Sequence, residues 1–544
     1  MSKFILAFLL TFTSLFLYGQ QASQPKLVVG VVVDQMRQEY LYRFANHFGE
    51  DGFKRLMNEG FVFKNAHFNY VPTYTGPGHA SVYTGTTPRV HGIIANDWYD
   101  KYAKQMRYCV QDDEVQGVDC EGKIGRRSPK NLKTSTITDE LRLFSQNRSK
   151  VISLSIKDRS AILPGGHQPN GAYWFDAKSG QFITSTFYRE SLPDWLVKFN
   201  KKKLAEKYMK KGWETYKPIA AYVESARDDR PYESKELGGL KAVFPYDFSE
   251  IDKSKNKNEL IKYTPYGNQL TVDLALAALT AEDLGRDEVT DILAVSFSST
   301  DYVGHAFGPY SKEVQDTYIR LDLDLARLMK ALDEQVGKGQ WTMFLTADHA
   351  VSEIPAYMAE NGHDTDYVNE TDYLKMVNEK LITTFNSAEL IENVRNNQIF
   401  LNREEIKNKG LDFKEVKAVL ANFLVEMEGI TAAFDTQEIA NYNGDERDIK
   451  LMAAGINAHM SGDVIFAQRA GWLGEWHQKN GGTTHGSGYN YDTHVPMLFY
   501  GWGIKNGSSV NYHSVTDIAP SVSMLLNIKL PSGCTGQPAA ELFD

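Results

Sequence analysis

Five segments of the chain are continuous runs of β-branched and other apolar residues, most of them followed directly by a polar residue. They are Lys26–Asp34, Val151–Ile156, Asp291–Ser299, Thr342–Thr346 and Val495–Tyr500. A run without alternation of apolar and polar positions is typical of a strand that is buried on both faces of a parallel sheet. We therefore interpret all five as strands of one central sheet.

Between these runs, apolar residues recur at helical spacing, which predicts helices. The predicted helices cover Phe53–Glu59, Ile137–Phe144, Thr271–Leu284 and Glu313–Val336. Strands that alternate with helices in this way predict an α/β fold. Its expected form is a doubly wound, mostly parallel central sheet with helices on both faces.

Two segments interrupt the alternation and are predicted to be insertions into a single domain over residues 21–544. Asp176–Lys262 is rich in Lys, Glu, Tyr and Trp without clear periodicity, and is interpreted as a covering of the surface. Gln398–Ile439 is strand-like, then helix-like, then strand-like again, which predicts a compact α/β cap. Asp463–Phe466 is predicted to return to the main sheet or its edge.

The N-terminus has the order of a secretion signal. Lys3 precedes an almost wholly apolar stretch, Phe4–Tyr18, and small and polar residues follow over Gly19–Ser23. The apolar stretch is shorter than the roughly 20 residues of a membrane span, and no cysteine stands at the expected cleavage site. We therefore expect residues 1–20 to be a signal peptide, and the mature protein to be periplasmic or secreted without a stable membrane anchor.

The net charge argues against some classes of ligand, and the number of cysteines argues against stabilisation by disulfide bonds. The formal net charge of −10 argues against a nucleic-acid-binding module, which usually shows a basic surface. An anionic substrate would need a local positive centre such as metal ions. Cys109, Cys120 and Cys534 are too few for a disulfide framework, although Cys109 and Cys120 could pair across a loop. Nothing in the sequence requires an oligomer, and a monomer is expected.

Polar residues stand at the carboxyl ends of the predicted strands, where ligands bind in doubly wound sheets. They are Asp34, Lys157, Arg159, Asp301, Asp348 and His349. A single aspartate at such a place is explained equally well by strand termination or helix capping. So many polar residues at equivalent strand ends predict a functional site.

Thr75 is the candidate nucleophile. It stands in front of Gly76–Gly78 and a stretch, His79–Tyr83, that is predicted to continue as a helix. Proline is tolerated in the first turn of a helix, and the free N–H groups of a helix start attract anions. A threonine hydroxyl is a poor nucleophile unless a metal or a base lowers its pKa. Thr73 and Ser81 are rival hydroxyls, but neither directly precedes the Gly-Pro-Gly turn.

The candidate metal ligands are carboxylates and imidazoles, a mixture that zinc accepts. They are Asp34, Asp301, His305, Asp348, His349 and His485. With Thr75 they divide into two sites, and two metals about 3.5–4 Å apart can stabilise both oxygens of an in-line phosphoryl transfer. His79 is interpreted as a packing residue, and His363 and His494 rank next as ligands.

Asn96, Lys157 and Arg159 are candidates for binding a phosphate. Asn96 could present its amide donor to a phosphate oxygen. Lys157 and Arg159 flank Asp158, and alternate residues of an extended segment point the same way, so both cations could face one anion. The alternative is that this charged stretch is a solvated strand end.

The ordered set of motifs resembles the alkaline phosphatase superfamily, and most closely its PafA-type branch of secreted flavobacterial phosphatases. The motifs are the strand-end Asp34, Thr75-Gly-Pro-Gly-His79, Asp301-x-x-x-His305, Asp348-His349 and Thr484-His485-Gly486. The resemblance covers essentially the whole mature chain, and it implies a two-zinc enzyme that hydrolyses small-molecule phosphate monoesters.

The resemblance also implies a role for each candidate residue. Asp301, His305 and His485 would bind one zinc ion, and Asp34, Asp348 and His349 the other. Thr75 would contact the second zinc and carry the phosphoryl group during turnover. Asn96, Lys157 and Arg159 would hold the transferred phosphoryl group.

Two other functions stay open at this point. A nucleotide phosphodiesterase of the same superfamily would share the metals and the threonine, but would favour an apolar pocket in place of the Lys-Arg pair. A non-catalytic exported protein that binds phosphate or metal would not need Thr75. A sulfatase is disfavoured because no C-x-P-S-R-type segment is present.

Overall fold

The architecture is that of a computed structural model, which describes residues 24–234, 237–252 and 254–543. The predicted signal peptide over residues 1–20 lies outside these ranges and stays a prediction. Within the described ranges, no helix is both long enough and apolar enough to cross a membrane.

A ten-stranded mixed sheet lies at the centre of the molecule. Its strands, in spatial order, are Gly507–Ser509, Phe61–Phe63, Met497–Gly501, Trp341–Thr346, Leu27–Val33, Asp291–Phe297, Val151–Ser155, Gly171–Asp176, Gln181–Ser185 and Gly117–Val118. The five strands from Trp341–Thr346 to Gly171–Asp176 are mutually parallel. Every residue of the central strand Leu27–Val33 is buried, as its unbroken apolar run predicts.

The parallel register brings the functional strand ends together. Val33 pairs with Phe297, and Val32 pairs with Thr346, so the strands end at the same level. The residues that follow them, among them Asp34 and Asp348, therefore meet at one edge of the sheet. The predicted α/β fold with a mostly parallel sheet is confirmed.

One strand of the sequence prediction runs in the opposite direction. Met497–Gly501, within the run Val495–Tyr500, pairs antiparallel with Trp341–Thr346 and with Phe61–Phe63. A fully buried antiparallel strand carries the same continuous apolar pattern as a parallel one. The pattern therefore could not reveal the direction of this strand.

Helices cover both faces of the sheet. One group consists of Thr75–Thr84, Ile137–Phe144, Asp158–Gly165 and Ile518–Leu525, and the other of Phe53–Glu59, Tyr266–Ala281, Ser299–Phe307 and Lys312–Leu332. The predicted bounds of Phe53–Glu59 and Ile137–Phe144 are confirmed. Ile137–Phe144 begins there because Thr136 and Asp139 form a capping box.

The segment Asp176–Lys262 is more deeply integrated than a surface covering. Its strand Gln181–Ser185 pairs with Gly171–Asp176 in the main sheet, and its helices Asp194–Asn200 and Leu204–Met209 pack against the helix Tyr266–Ala281. Trp213 and Tyr246 are buried in the main core. Buried aromatic side chains hold this segment, which explains why it shows no simple period.

A second, four-stranded sheet forms a cap. Its order is Ile391–Arg395, Gln398–Leu401, Val464–Gln468 and Ile430–Asp435. The helices Glu370–Phe385 and Phe413–Leu424 pack with it around a separate hydrophobic core. The prediction that Asp463–Phe466 returns to the main sheet is wrong, because Val464–Gln468 pairs on both sides with cap strands.

The three cysteines are all free thiols. Cys109 is buried beside Gly76. A Cβ atom placed on Gly76 would lie 3.2 Å from the sulfur of Cys109. Cys120 packs beside Gly117 and Gly125 instead. The pairing of Cys109 with Cys120 that the sequence left open is not formed.

Candidate active site

Asp301, His305 and His485 form a first group of potential metal ligands. Asp301 and His305 lie four residues apart on the helix Ser299–Phe307, so they share one face. The Oδ1 atom of Asp301 is 3.1 Å from Nε2 of His305 and 3.7 Å from Nε2 of His485. Three potential ligand atoms thus converge, as the sequence prediction requires.

The three candidate imidazoles are held by the peptide backbone. Nδ1 of His305 donates to the Thr483 carbonyl at 2.7 Å, and Nδ1 of His485 donates to the Thr73 carbonyl at 2.6 Å. Nδ1 of His349 donates to the Ala350 carbonyl at 3.0 Å. Since a carbonyl can only accept, each Nδ1 carries a proton, and the neutral form of each ring has its lone pair on Nε2, the atom that would bind a metal.

Asp34, Asp348 and His349 form a second group at the ends of two neighbouring strands. Oδ1 of Asp34 and Oδ2 of Asp348 lie 3.6 Å and 3.5 Å from Nε2 of His349. Both oxygens are buried and have no hydrogen-bond partner. An unsatisfied buried carboxylate oxygen is costly unless a cation compensates it, so this group fits a divalent metal. The donor types, carboxylate and imidazole, are those of zinc.

The two groups adjoin each other. The ligand atoms of Asp34, Asp301 and His349 also lie within 4.8 Å of one another, so Asp301 reaches towards both groups. The rings of His349 and His485 stack with their centroids 3.4 Å apart. Two metal positions in this space would be neighbours.

Burial and mutual charge set the protonation of these side chains. Burial, with repulsion from Asp301 and Asp348, raises the pKa of Asp34 well above its ordinary value. Burial raises the pKa of Asp348 to about 6. Burial also lowers the pKa of His349 far below its ordinary value and that of His485 to about 3. These two imidazoles are therefore neutral at physiological pH, as a metal ligand must be.

Lys157 is buried between the two groups of ligands. Its Nζ donates to Oδ2 of Asp34 at 2.7 Å and to Oδ2 of Asp301 at 2.6 Å. Lys157 is 4% exposed, which excludes a solvated strand end. The extended geometry predicted for this stretch is wrong beyond Lys157, because a helix begins at Asp158 and places Arg159 in its first turn.

Thr75 is the first residue of the helix Thr75–Thr84 and points into the site. Its Oγ1 lies 3.4 Å from Nε2 of His349, and it accepts a 3.4 Å hydrogen bond from Nη2 of Arg159. Oδ1 of Asn96 accepts from the Gly76 N–H at 2.7 Å, which leaves the amide NH₂ of Asn96 as a donor. Metal-ligand candidates and phosphate-binding candidates therefore meet at Thr75.

Gln35 is a site residue that the sequence reasoning missed. Its backbone N–H donates to Oδ1 of Asp348 at 3.1 Å, and its side-chain amide donates to Oδ1 of Asp301 at 2.8 Å. Its φ is 66°, a left-handed conformation that is unusual for a residue other than glycine. Its position directly after the strand-end Asp34 was the only sequence signal.

The remaining histidines have other environments. His79 is fully buried, donates from Nδ1 to the Thr75 carbonyl at 2.9 Å and lies 3.3 Å from Oδ2 of Asp348. It therefore holds the first turn of the helix, and it belongs to neither group of potential metal ligands among the described residues. His363 is exposed, and His494 stacks on His67 at 4.5 Å. Among the described residues, neither His363 nor His494 joins a group that could hold a metal.

Comparison with known proteins places this site in a family. The sequence profile of the family described as "Type I phosphodiesterase / nucleotide pyrophosphatase" matches residues 28–489. A Myroides odoratus protein named "Calcium-transporting ATPase" is 43% identical over 546 residues, which is 100% of this chain and 99% of that protein. "Alkaline phosphatase PafA" of Elizabethkingia meningoseptica is 43% identical over 522 residues, 96% of this chain and 95% of that one.

Solved structures agree with the sequence relatives. The crystal structure of wild-type alkaline phosphatase PafA has a TM-score of 0.92 and 42% identity, and the match covers 96% of this chain and 99% of that one. A crystallised variant of that enzyme carries substitutions at a threonine, an asparagine, a lysine and an arginine. The spacing from threonine to asparagine, and from lysine to arginine, is the same as between Thr75 and Asn96 and between Lys157 and Arg159. The chain therefore belongs to the type I phosphodiesterase / nucleotide pyrophosphatase family and is an enzyme of the PafA-type alkaline phosphatases, within the alkaline phosphatase superfamily.

Proposed function

We propose that the chain hydrolyses phosphate monoesters by transferring the phosphoryl group to Thr75, at a site that holds two zinc ions. One observation carries this proposal. The unpartnered carboxylate oxygens of Asp34 and Asp348 converge on Nε2 of His349, which lies 3.4 Å from the Thr75 hydroxyl. A nucleophile beside a site built for a cation is the arrangement that activates a threonine.

The residues present fit both metal ions. Asp301, His305 and His485 would hold one zinc ion, and Asp34, Asp348 and His349 would hold the other beside Thr75. When bound, the zinc ions would favour the deprotonated form of the Thr75 hydroxyl and stabilise negative charge on the leaving oxygen.

The chain's own residues then perform two displacements at phosphorus. The Thr75 oxygen attacks the phosphorus in line, the ester bond to the alcohol breaks, and a phosphothreonine forms. A water molecule attacks the phosphothreonine from the side that the alcohol has left, and it releases inorganic phosphate and restores the threonine. Asn96, Lys157 and Arg159 stabilise the phosphoryl oxygens in both transition states.

Monoesters fit this arrangement better than diesters. A monoester presents a dianion with three free oxygens, whereas a diester has lost one oxygen to a second substituent. Lys157, Arg159 and the Asn96 amide together supply two charges and a further donor for those oxygens. The alternative is a nucleotide phosphodiesterase, which the description of the matching family favours. A comparison of monoester and diester hydrolysis by the purified enzyme separates the two.

The name of the Myroides odoratus relative includes ATP hydrolysis, which the proposed chemistry can perform. The terminal phosphoryl group of ATP bears a single substituent and three free oxygens, so it is a monoester-like substrate. We therefore expect ATP to be among the substrates that are hydrolysed. Calcium transport is no part of the proposal.

The proposed cellular setting follows from the residues of the N-terminus. We infer that the signal peptide is removed at about residue 20 and that the enzyme acts as a monomer in the periplasm or outside the cell. Mass spectrometry of the exported protein tests the cleavage. An intact Met1 on exported protein would contradict it.

Removal and return of metal test the proposed function most simply. Chelation should abolish hydrolysis of a phosphate monoester, and about two equivalents of zinc per chain should restore it. Zinc content is measured on the same samples. Full activity in a metal-free preparation would contradict the proposal, and so would full recovery with one equivalent.

A further inference from the structure

The Tyr108 hydroxyl forms hydrogen bonds with both Arg159 and Asp158. Nη1 of Arg159 donates to the Tyr108 hydroxyl at 3.2 Å, and this hydroxyl donates in turn to Oδ1 of Asp158 at 2.5 Å. The other terminal nitrogen of Arg159, Nη2, donates to Thr75. The guanidinium is thus held between the phenol and the nucleophile.

A hairpin ties Tyr108 to a second phosphate-binding residue. Tyr108 ends the strand Gln105–Tyr108, which pairs antiparallel with Asp97–Asp100. At the open end of the hairpin, the Cys109 N–H donates to the Asn96 carbonyl at 2.9 Å. Asn96 and Tyr108, the partner of Arg159, are therefore held by the same hairpin.

The nearby carboxylate is occupied by a different cation. Oδ2 of Asp158 accepts from Nε of Arg127 at 2.8 Å, and the Arg127 guanidinium lies over the Tyr108 ring, 4.6 Å from its centroid. Oδ1 of Asp158 accepts from the Arg159 backbone as well as from Tyr108. Among the described residues, no carboxylate forms an ion pair with the Arg159 guanidinium within 4.0 Å.

A neutral partner has a specific physical advantage at this place. A carboxylate would orient Arg159 equally well, but it would neutralise the guanidinium and compete with a phosphate dianion. A hydroxyl fixes the direction of the guanidinium and leaves its charge available. Burial, together with the nearby Asp158 carboxylate, raises the pKa of Tyr108 well above its ordinary value, so the hydroxyl keeps its proton at alkaline pH.

We propose that Tyr108 is a positioning residue for Arg159, which it orients towards the transferred phosphoryl group as an uncharged hydrogen-bond acceptor. The inference rests on the proposed function, in which Arg159 binds that group. The hydrogen bonds of the Tyr108 hydroxyl go to Arg159 and Asp158 and not to Thr75. Its effect on catalysis therefore passes through Arg159.

A double-mutant cycle tests the proposal. Tyr108→Phe keeps the ring beneath Arg127 and removes only the hydroxyl. Loss of a hydrogen bond to a charged group corresponds to about a 10- to 100-fold change. We expect kcat/KM for a phosphate monoester to fall by this factor and inhibition by inorganic phosphate to weaken in parallel. Diester hydrolysis should change by less than about threefold, and Tyr108→Phe should add nothing in an Arg159→Ala background.

Tyr222→Phe is the matched control. The Tyr222 hydroxyl also donates to a buried aspartate, Asp316, but it lies outside the site. Both variants should melt within a few degrees of the unaltered enzyme, and Tyr222→Phe should keep full kcat/KM.

The possible outcomes separate the inference from the function on which it rests. If Arg159→Ala is impaired but Tyr108→Phe is not, the inference alone is wrong. An equal loss on the Arg159→Ala background would also overturn it, because Tyr108 would then act independently of Arg159. If Arg159→Ala itself keeps full monoesterase activity, both the role of Arg159 and this inference fail.

Discussion

The two halves of the active site are built in different ways. The proposed metal-binding half combines side chains at the ends of parallel strands with two on the helix Ser299–Phe307 and one in a loop. Its imidazoles are fixed by backbone carbonyls such as those of Thr483 and Ala350. The proposed phosphate-binding half consists of residues at helix starts and on a hairpin. Its members, Arg159 and Asn96, are oriented by a phenol and by a helix N–H.

The fold positions the two sets of side chains with different precision. The sheet register sets the positions of Asp34 and Asp348 to within the precision of strand pairing, as metal ligands require. Of the proposed phosphate-binding side chains, Asn96 and Arg159 are oriented by individual hydrogen bonds and are partly exposed. Lys157 is instead buried between two carboxylates. Substitutions in the first half should therefore destroy the site, whereas substitutions in the second half should change its selectivity.

Loss of a metal ligand should have the largest effect. His305→Ala and Asp348→Ala each open one metal site and misplace the leaving group or the nucleophile. We expect kcat/KM to fall on the order of a thousandfold or more, together with the zinc content. Metal analysis and steady-state kinetics on the same samples measure both quantities. A variant that keeps two zinc ions and near-normal kcat/KM would show that the residue is not a ligand.

Substitutions on the phosphate-binding side should have smaller and more selective effects. Removing one partner of a buried charged contact typically costs about 2–5 kcal/mol, or tens- to thousands-fold. Lys157→Ala, Arg159→Ala and Asn96→Ala should each lower monoesterase kcat/KM strongly, and should lower diester hydrolysis much less. The three effects need not add, because they act on one phosphoryl group. If the variant with all three substitutions loses monoester and diester hydrolysis equally, that result would favour the phosphodiesterase alternative.

Gln35 should show an intermediate effect, and it should act through the metals. Partners of metal ligands typically contribute 10- to 100-fold to metal affinity. Gln35→Ala should weaken zinc binding by about this factor in competition with a chelator. Gln35→Gly is the matched variant, since it keeps the N–H to Asp348 and accepts the positive φ without strain. If Gln35→Gly binds zinc as weakly as Gln35→Ala, the hydrogen bond from the side-chain amide to Asp301 is the important contact. If the zinc affinities of the two variants differ, part of the effect belongs to the backbone at position 35.

His363→Ala should have the smallest effect. His363 is exposed and joins no potential metal group among the described residues. Zinc content and kcat/KM should equal those of the unaltered enzyme. A loss of one zinc ion in this variant would contradict the division of ligands into two groups of three.

The apolar pattern of the sequence locates the residues of the proposed metal-binding half more directly than those of the proposed phosphate-binding half. Asp34, Asp301 and Asp348 directly follow apolar runs or lie a few residues beyond them, and parallel strands place such residues side by side. The same rule covers Lys157, which directly follows the run Val151–Ile156. The orientation of Arg159 depends on the helix start at Asp158, which could not be read from the apolar pattern. Tyr108 and Gln35 act through individual hydrogen bonds, and Gln35 also depends on an unusual φ. Residue types alone reveal neither feature.

The limits of the fold prediction have similar causes. Continuous apolar runs identified the strands, but they carry no information on direction, as Met497–Gly501 shows. The cap strand Val464–Gln468 is separated from its partner Gln398–Leu401 by more than sixty residues of sequence. Its sheet is decided by long-range pairing, which a local pattern does not contain.

The most direct test is to trap the covalent intermediate. Rapid quenching during hydrolysis of a labelled phosphate monoester, followed by peptide mapping, should locate the label on the peptide that contains Thr75. The label should be absent from Thr75→Ala, whereas Thr75→Ser should retain some turnover because a hydroxyl remains in place. Label found reproducibly on Ser81 or on a histidine, or full activity of Thr75→Ala, would contradict a phosphothreonine at this site.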